Sequence, residues 1–399
     1  MRILIITDRI PYPVIKGAPL RTYNLLRRIA REHEVWLVAF VETPDEAEGV
    51  SHMQEFCRGV ETANIQQLGA LARPGDLFRY ALAGKPVELR LMYSEELVSK
   101  IRHLASTVDF DIVQMEHSYM AMYLEALPRH MQSKTVLMFL DIIFGKFDRT
   151  YRIESKLARK LRLWLYSRMM RRWEPRYAER FGRCVTVSKV DRDLLIAANP
   201  RLQVDVVPNG VDTQVYQPLP QEGTLPALLF VGNMDYVACA DAVVYFCREI
   251  LPRIQQMIGA MEMWIVGTDP RPEVRRLNGN GVHVTGRVED VRPYYSRSTA
   301  FVVPLRAGGG TRLKILEAMA LGRPVVSTSI GCEGLDVVDG EHLFIADSPE
   351  QFAEKTVRFL TDEALRQRIT TKARQLVVTY YDWDVIARTL MQIYAEMAE

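Results

Sequence analysis

The stretch from Gly308 to Thr328, GGGTRLKILEAMALGRPVVST, constrains this chain more than any other. An apolar run, TAFVVPL, ends shortly before the three glycines and reads as a buried strand. A helix follows at once, with Thr311 as its expected N-cap and Ile315, Leu316, Met319 and Ala320 on one apolar face. Gly322 and Pro324 then stop the helix before a second strand, PVVST. Strand, glycine turn, helix and strand in succession commit the region to a parallel α/β sheet. The turn at Gly308, Gly309 and Gly310 leaves backbone N–H groups facing whatever sits above it, and the helix dipole favours an anion there. Arg312 and Lys314 place two cations in the first turn, where the dipole disfavours them unless a bound anion compensates. Glu317, about one and a half turns in, is within reach of a ribose hydroxyl pair beside that anion. This describes a phosphate-and-ribose site at the end of a parallel sheet. On spacing alone, a tight turn with a solvated Arg312, Lys314 and Glu317 face is the other reading.

The rest of the chain repeats the alternation, which points to doubly wound α/β. RILIITD reads as the first strand, the loop RIPYPVIKGAP follows, and a helix is expected from about Leu20 to Glu32 before the strand EVWLVAF. DIVQME (Asp111–Glu116) and TVLMFLD (Thr135–Asp141) are apolar runs with polar tips, the pattern of central parallel strands. CVTVS and VDVVPNGV complete that half. QVYQPLPQEGTLPA carries three prolines and no periodicity, so it reads as a linker. A second α/β run follows: ALLFVGN, a helix over roughly Asp241–Met257, MEMWIVGT, GVHVTGRV, TAFVVPL, the glycine-turn helix, PVVST and HLFIA. The expected domains are 1–213, a linker at 214–226, 227–380, and a final helix at 381–399 packing back on the first domain. Two Rossmann-like domains facing each other across a cleft are the implied architecture.

With 399 residues, 48% of them hydrophobic, the chain can bury two cores without disulfide or metal staples. A net charge of +2 gives no case for nucleic-acid binding, and aromatic–basic mixtures are too sparse for a stacking platform. Five scattered cysteines, with no CxxC pair, fit reduced thiols and a cytoplasmic location. No stretch approaches about 18 uninterrupted apolar residues, so no membrane-crossing helix is expected.

The layout and several motifs resemble the retaining glycosyltransferases of the GT-B fold, glycosyltransferase family 4. VPNGVDT and VTVSKVDRDLL are similar to segments that precede the interdomain linker in that family. The resemblance implies a donor-binding second domain and an acceptor-binding first domain. Glu317 matches the second glutamate of an E-x7-E motif, which holds ribose hydroxyls in those enzymes. Gly286, Arg287 and Val288 match the segment lining the base pocket, and Gly17 matches a flexible loop glycine near the sugar nucleotide or acceptor. Gly232 and Asn233 stand where the family's diphosphate-binding segment begins. Implied partners are a UDP- or GDP-sugar and a hydroxyl acceptor, in surface polysaccharide or glycoconjugate synthesis, with no cofactor and no metal. A sugar-nucleotide epimerase of the same fold and a non-catalytic nucleotide-sugar binder are the rival readings.

Departures from that pattern are specific. The first glutamate of E-x7-E falls on Gly309, which has no side chain. The family's Arg and Lys early in the second domain are missing from GNMDYVACAD, so Arg312 and Lys314 are expected to replace them at the diphosphate. Where the family has H-x-H, this chain has Gln114-Met115-Glu116-His117, and either Glu116 or His117 is expected at the donor sugar, His117 preferred. Asp141 matches the Asp of an HD pair whose His is Leu140; a capping or turn role is equally open.

Three D-x-D triplets (Asp109/Asp111, Asp191/Asp193 and Asp382/Asp384) sit at strand or helix starts and are expected to cap backbone N–H groups. The stretch 152–183 holds eleven Lys or Arg against three Glu, with Leu157, Leu161, Trp164, Leu165, Met169, Arg172 and Trp173 mixing core-like and interfacial residues along a helix. It is either a peripheral contact with an anionic membrane or the solvated face of a long helix.

Overall fold

The structure, a computed structural model, describes all residues except 15–16, 65–85, 87–88, 90–91, 155, 223–225 and 309–310. The chain divides into two compact units, Met1–Asn209 with Ile386–Glu399, and Gly210–Val385.

The first unit is built on a seven-stranded parallel sheet: β1 (Arg2–Thr7), β2 (Glu34–Val41), β3 (Gly59–Asn64), β4 (Ile112–Glu116), β5 (Thr135–Phe139), β6 (Arg183–Thr186) and β7 (Val204–Val206). Their spatial order is β3-β2-β1-β4-β5-β6-β7. Every residue of β4 and β5 is buried, which is why those segments read as continuous apolar runs rather than alternating ones. The first helix spans Gly17–Ile29, so it begins three residues before the expected Leu20, and Gly17 is its first residue rather than part of a loop.

The second unit holds a six-stranded parallel sheet: β8 (Ala227–Val231), β9 (Glu262–Val266), β10 (Val282–Gly286), β11 (Ala300–Val303), β12 (Val325–Ser327) and β13 (Phe344–Ile345). Their order is β10-β9-β8-β11-β12-β13. The helix Leu313–Ala320 crosses from β11 to β12, and Ile315, Leu316, Met319 and Ala320 are all fully buried. It ends at Leu321, and Gly322 follows at φ 72°, the left-handed conformation that glycine adopts without a Cβ penalty.

The proline-rich segment after Thr213 carries backbone carbonyls that no strand or helix ladder satisfies. Two arginines of the second unit do so instead. Arg374 donates to the carbonyls of Thr213 (3.0 Å), Tyr216 (2.5 Å) and Ala320 (2.6 Å). Arg323, 4% exposed, donates to those of Leu219, Pro220 and Ser298, and burial pushes its pKa down to about 10.

The basic segment resolves into two helices, Ile143–Ile153 and Leu157–Ala178, with β6 starting at Arg183. Among the described residues, no helix is long and apolar enough to cross a membrane. All five cysteines are free.

Candidate active site

Open α/β sheets take ligands where the winding direction reverses, at the carboxyl ends of the strands. In the second sheet that point lies between β8 and β11, because β8 pairs with β9 on one side and β11 on the other. Gly232 and Asn233 leave β8 on one side, and the turn before helix Leu313–Ala320 stands on the other.

Thr311 is not the N-cap. That position belongs to Arg312, whose φ of −85° and ψ of 89° lie outside the helical region and whose side chain makes no cap. Gly308 has φ 129°, and a Cβ there would run into the Arg312 guanidinium, so that head group lies over the glycine turn. Gly309 and Gly310 lie outside the described residues.

Lys314 reaches under the β8 turn. Its Nζ is 3.8 Å from Cys239 Sγ and 4.3 Å from the centre of the Phe230 ring, and a Cβ on Gly232 would come within 2.8 Å of it. Burial pulls its ammonium below the ordinary lysine range. One turn on, burial pushes the Glu317 carboxyl up to about 7, against the attraction of Lys314. The Glu317 charge is also the main reason the Tyr216 phenol is raised. A cation and an acid, both desolvated and three residues apart, meet at the switch point. Each pays for burial unless an anion and hydrogen-bond donors arrive to satisfy it.

Glycine also ends β8, β9 and β10 at neighbouring tips. Gly232 N donates to Val266 O (3.0 Å) and Gly267 N to Gly286 O (3.1 Å). Gly267, at φ 148°, is a residue that sequence reasoning passed over, although it directly follows the apolar run in MEMWIVGT. Its Cβ would collide with the Gly232 carbonyl. Gly286, at φ 73°, has open space where its Cβ would be, so conformation rather than crowding demands glycine there. Arg287 is exposed, and Val288 is half-buried against the core. Asn233 is exposed and accepts the Asp235 N–H at 2.9 Å, an Asx turn.

In the first sheet the reversal lies between β1 and β4. A cavity of about 220 Å³ opens there, lined by Thr7, Asp8 and Arg9 after β1, Pro19 and Thr22 of the first helix, and Glu116 and His117 after β4. His117 has φ 69°, rare for a residue with a Cβ, and its N–H donates to Met138 O at 2.9 Å. That conformation turns the ring to the cavity, with Nε2 3.7 Å from Asp8 Oδ1. Asp8, a polar tip on the first strand, was the available signal for this side of the site.

Glu116 is held differently. It is 1% exposed and accepts from the Thr22 hydroxyl and from Gln114 Nε2 (2.8 Å). Burial raises its carboxyl above the ordinary range. Beside it the buried Arg21 donates to the carbonyls of Pro208 (2.6 Å) and Val207 (2.9 Å) and to Asn209 Oδ1 (3.1 Å). Asp141 accepts from Lys146 Nζ at 3.0 Å.

The D-x-D carboxylates divide: some meet backbone N–H groups, whereas Asp109 lies 3.8 Å from the Arg2 guanidinium and Asp193 accepts from Arg192 at 2.8 Å, so the expected capping role fails at those two. Asp111 Oδ2 accepts Arg2 N (2.7 Å), Asp191 bonds the capping Ser188, and Asp382 accepts the N–H groups of Thr213 (3.1 Å) and Asp384 (2.8 Å).

Comparison with known proteins adds identity to this geometry. Residues 15–215 match the model for Glycosyltransferase Family 4, and residues 225–362 match Glycosyl transferases group 1. A phosphatidyl-myo-inositol mannosyltransferase of Mycobacterium leprae is 25% identical over 77% of this chain and 79% of its own length. Sucrose-phosphate synthase from Thermosynechococcus elongatus superposes with a TM-score of 0.69 at 16% identity, covering 100% of this chain and 99% of its own. The Anabaena protein HepE, solved with UDP and glucose, gives 0.67 at 16% identity, covering 99% and 100%. With two Rossmann-like parallel-sheet units of the GT-B architecture and a family match across half its length, the chain is a glycosyltransferase and belongs to glycosyltransferase family 4.

Proposed function

We propose that this enzyme moves a hexose from a nucleoside diphosphate sugar to an acceptor hydroxyl, with retention of configuration and without a metal. The observation that carries the reading is the Lys314–Glu317 pair at the β8–β11 switch point, both residues half-buried, with the Lys314 ammonium against Gly232. HepE, solved with UDP and glucose, favours a nucleoside diphosphate sugar as donor, and the mannosyltransferase relative favours hexosyl transfer.

In this reading Lys314 and Arg312 neutralise the diphosphate as the bond from the sugar C1 to the phosphate oxygen breaks. Preorganised cations in a dry site stabilise that developing charge without rearrangement. Glu317 accepts the ribose hydroxyls, and the glycine tips at Gly232, Gly267 and Gly286 let the nucleotide approach the backbone. The acceptor hydroxyl attacks C1 from the face the phosphate leaves, and its proton passes to the departing phosphate oxygen. His117 offers a hydrogen bond to a sugar hydroxyl. The acceptor is a glycan, a lipid-linked sugar or a small molecule, and the pathway is surface polysaccharide or glycoconjugate synthesis. No cofactor takes part.

A thermal-shift panel of uridine, guanosine, adenosine and cytidine diphosphates tests it. UDP or GDP is expected to raise the unfolding midpoint of the wild type and not of Lys314→Met, with EDTA making no difference. If no nucleoside diphosphate moves the midpoint, the reading fails.

A further inference from the structure

The helix Leu157–Ala178 is built the wrong way round for a helix that only packs on its own domain. Its second half buries Tyr166, Met170 and Trp173. The opposite side should be polar. Instead it carries Leu157, Leu161, Trp164 and Leu165, which are 83%, 56%, 40% and 49% exposed. Their spacing of i, i+4, i+7 and i+8 makes one continuous stripe, about half a turn away from the buried face at 3.6 residues per turn. Contiguous exposed Leu and Trp cost solvation and mark a contact surface.

The charge around that stripe selects the partner. From Lys156 to Arg172 the chain has seven Lys or Arg and no acidic residue. Lys160 and Arg162 fall on either side of the stripe, and Arg168 extends it, its guanidinium 5.2 Å from the centre of the Trp164 ring. A protein surface offers patches of mixed charge, whereas an apolar ridge flanked by cations, with no acidic residue along that stretch of helix, matches an extended anionic plane with an apolar layer beneath it. Leucines and a tryptophan suit the acyl boundary, and long basic side chains reach back to phosphate head groups.

We propose that this face of helix Leu157–Ala178 seats the enzyme on an anionic phospholipid surface, with Leu157, Leu161, Trp164 and Leu165 inserted and Lys160, Arg162 and Arg168 on the head groups. It stands apart from the donor site, since none of these residues lies at either switch point.

Flotation of the full chain with phosphatidylglycerol vesicles and with phosphatidylcholine vesicles is the experiment, with Trp164 depth read by quenching from brominated acyl chains. The wild type is expected to float with the anionic vesicles only. Leu161→Glu combined with Trp164→Ser, and separately Arg162→Ala with Arg168→Ala, should each lower partitioning at least roughly tenfold. Both sets replace exposed side chains, and circular-dichroism melts matching the wild type verify that they fold. Brominated chains should quench the wild type and not Trp164→Phe. Wild-type protein that stays unbound at low salt, floats equally with neutral vesicles, or keeps its binding in both variants overturns the proposal. So does a dimer in sedimentation that the Leu161 and Trp164 changes dissociate while flotation is unaltered.

Discussion

The phenol of Tyr394, in the last helix of the chain, donates its proton to Gln114 Oε1 on the central strand β4, 280 positions away in sequence. Gln114 passes the constraint on through its amide to Glu116, which also receives the Thr22 hydroxyl. The chain of bonds ties Trp383–Ala398, whose residues from Ile386 belong to the first unit, to the strand that leads into His117.

Replacing that phenol tests the tie. Tyr394→Phe keeps the ring packing but leaves the buried Gln114 oxygen without its donor, at a cost of about 1–3 kcal/mol. The denaturation midpoint should fall accordingly, and Gln114→Leu in the same background should not restore it, because Glu116 then loses its amide donor as well.

Glu174 gives the fold a pH dependence. It is fully buried, accepts the N–H groups of Ile143 (3.2 Å) and Phe144 (3.3 Å), and burial pushes its carboxyl up to about 7 from an ordinary 4.5. The unfolded chain releases this proton first, so between those two values the folded state binds more protons and stability falls as pH rises. The contribution reaches about 3 kcal/mol and levels off above pH 7. Glu317, also pushed up to about 7, adds a loss of the same sign in the same window. Melts of Glu174→Gln between pH 5 and pH 8 should show a visibly smaller decline than the wild type.

Two glycines at neighbouring strand tips should respond differently to a methyl group. At Gly232 the new Cβ meets the mobile end of Lys314, so Gly232→Ala should fold normally and bind nucleotide more weakly as the ammonium is displaced. At Gly267 it meets the Gly232 backbone carbonyl from a left-handed φ, so Gly267→Ala should destabilise the unit by more than about 1 kcal/mol. Melting and nucleotide titration of both variants separate the two effects.

His117 pays a conformational cost at its positive φ. His117→Gly removes that strain, so the midpoint should hold or rise slightly while glycosyl transfer falls by about 10²-fold. A parallel loss of stability and activity would assign the ring a packing role instead.

Much of this was legible in the residues. The apolar runs of β4, β5, β8 and β11 announced a parallel α/β chain because strands buried on both faces need no alternation. Gly308, Arg312, Lys314 and Glu317 stood out as a glycine turn before a helix, followed by cations where the helix dipole disfavours them. What the sequence hid depends on distance in space. Nothing near Glu116 tells of Tyr394 or Arg21, nothing near Gly267 of the Gly232 carbonyl, and nothing near Pro218 of Arg323 and Arg374 gathering carbonyls across more than a hundred residues. The helix start moved from Thr311 to Arg312 because side-chain identity does not reveal the dihedral angles a glycine turn imposes.

The donor site is best tested by a crystal structure of the enzyme with the nucleoside diphosphate that the thermal panel selects. The account predicts phosphate oxygens within hydrogen-bond reach of Lys314 Nζ and the Arg312 guanidinium, and both ribose hydroxyls on the Glu317 carboxylate. Phosphates bound away from Lys314, or a ribose that leaves Glu317 untouched, would contradict it.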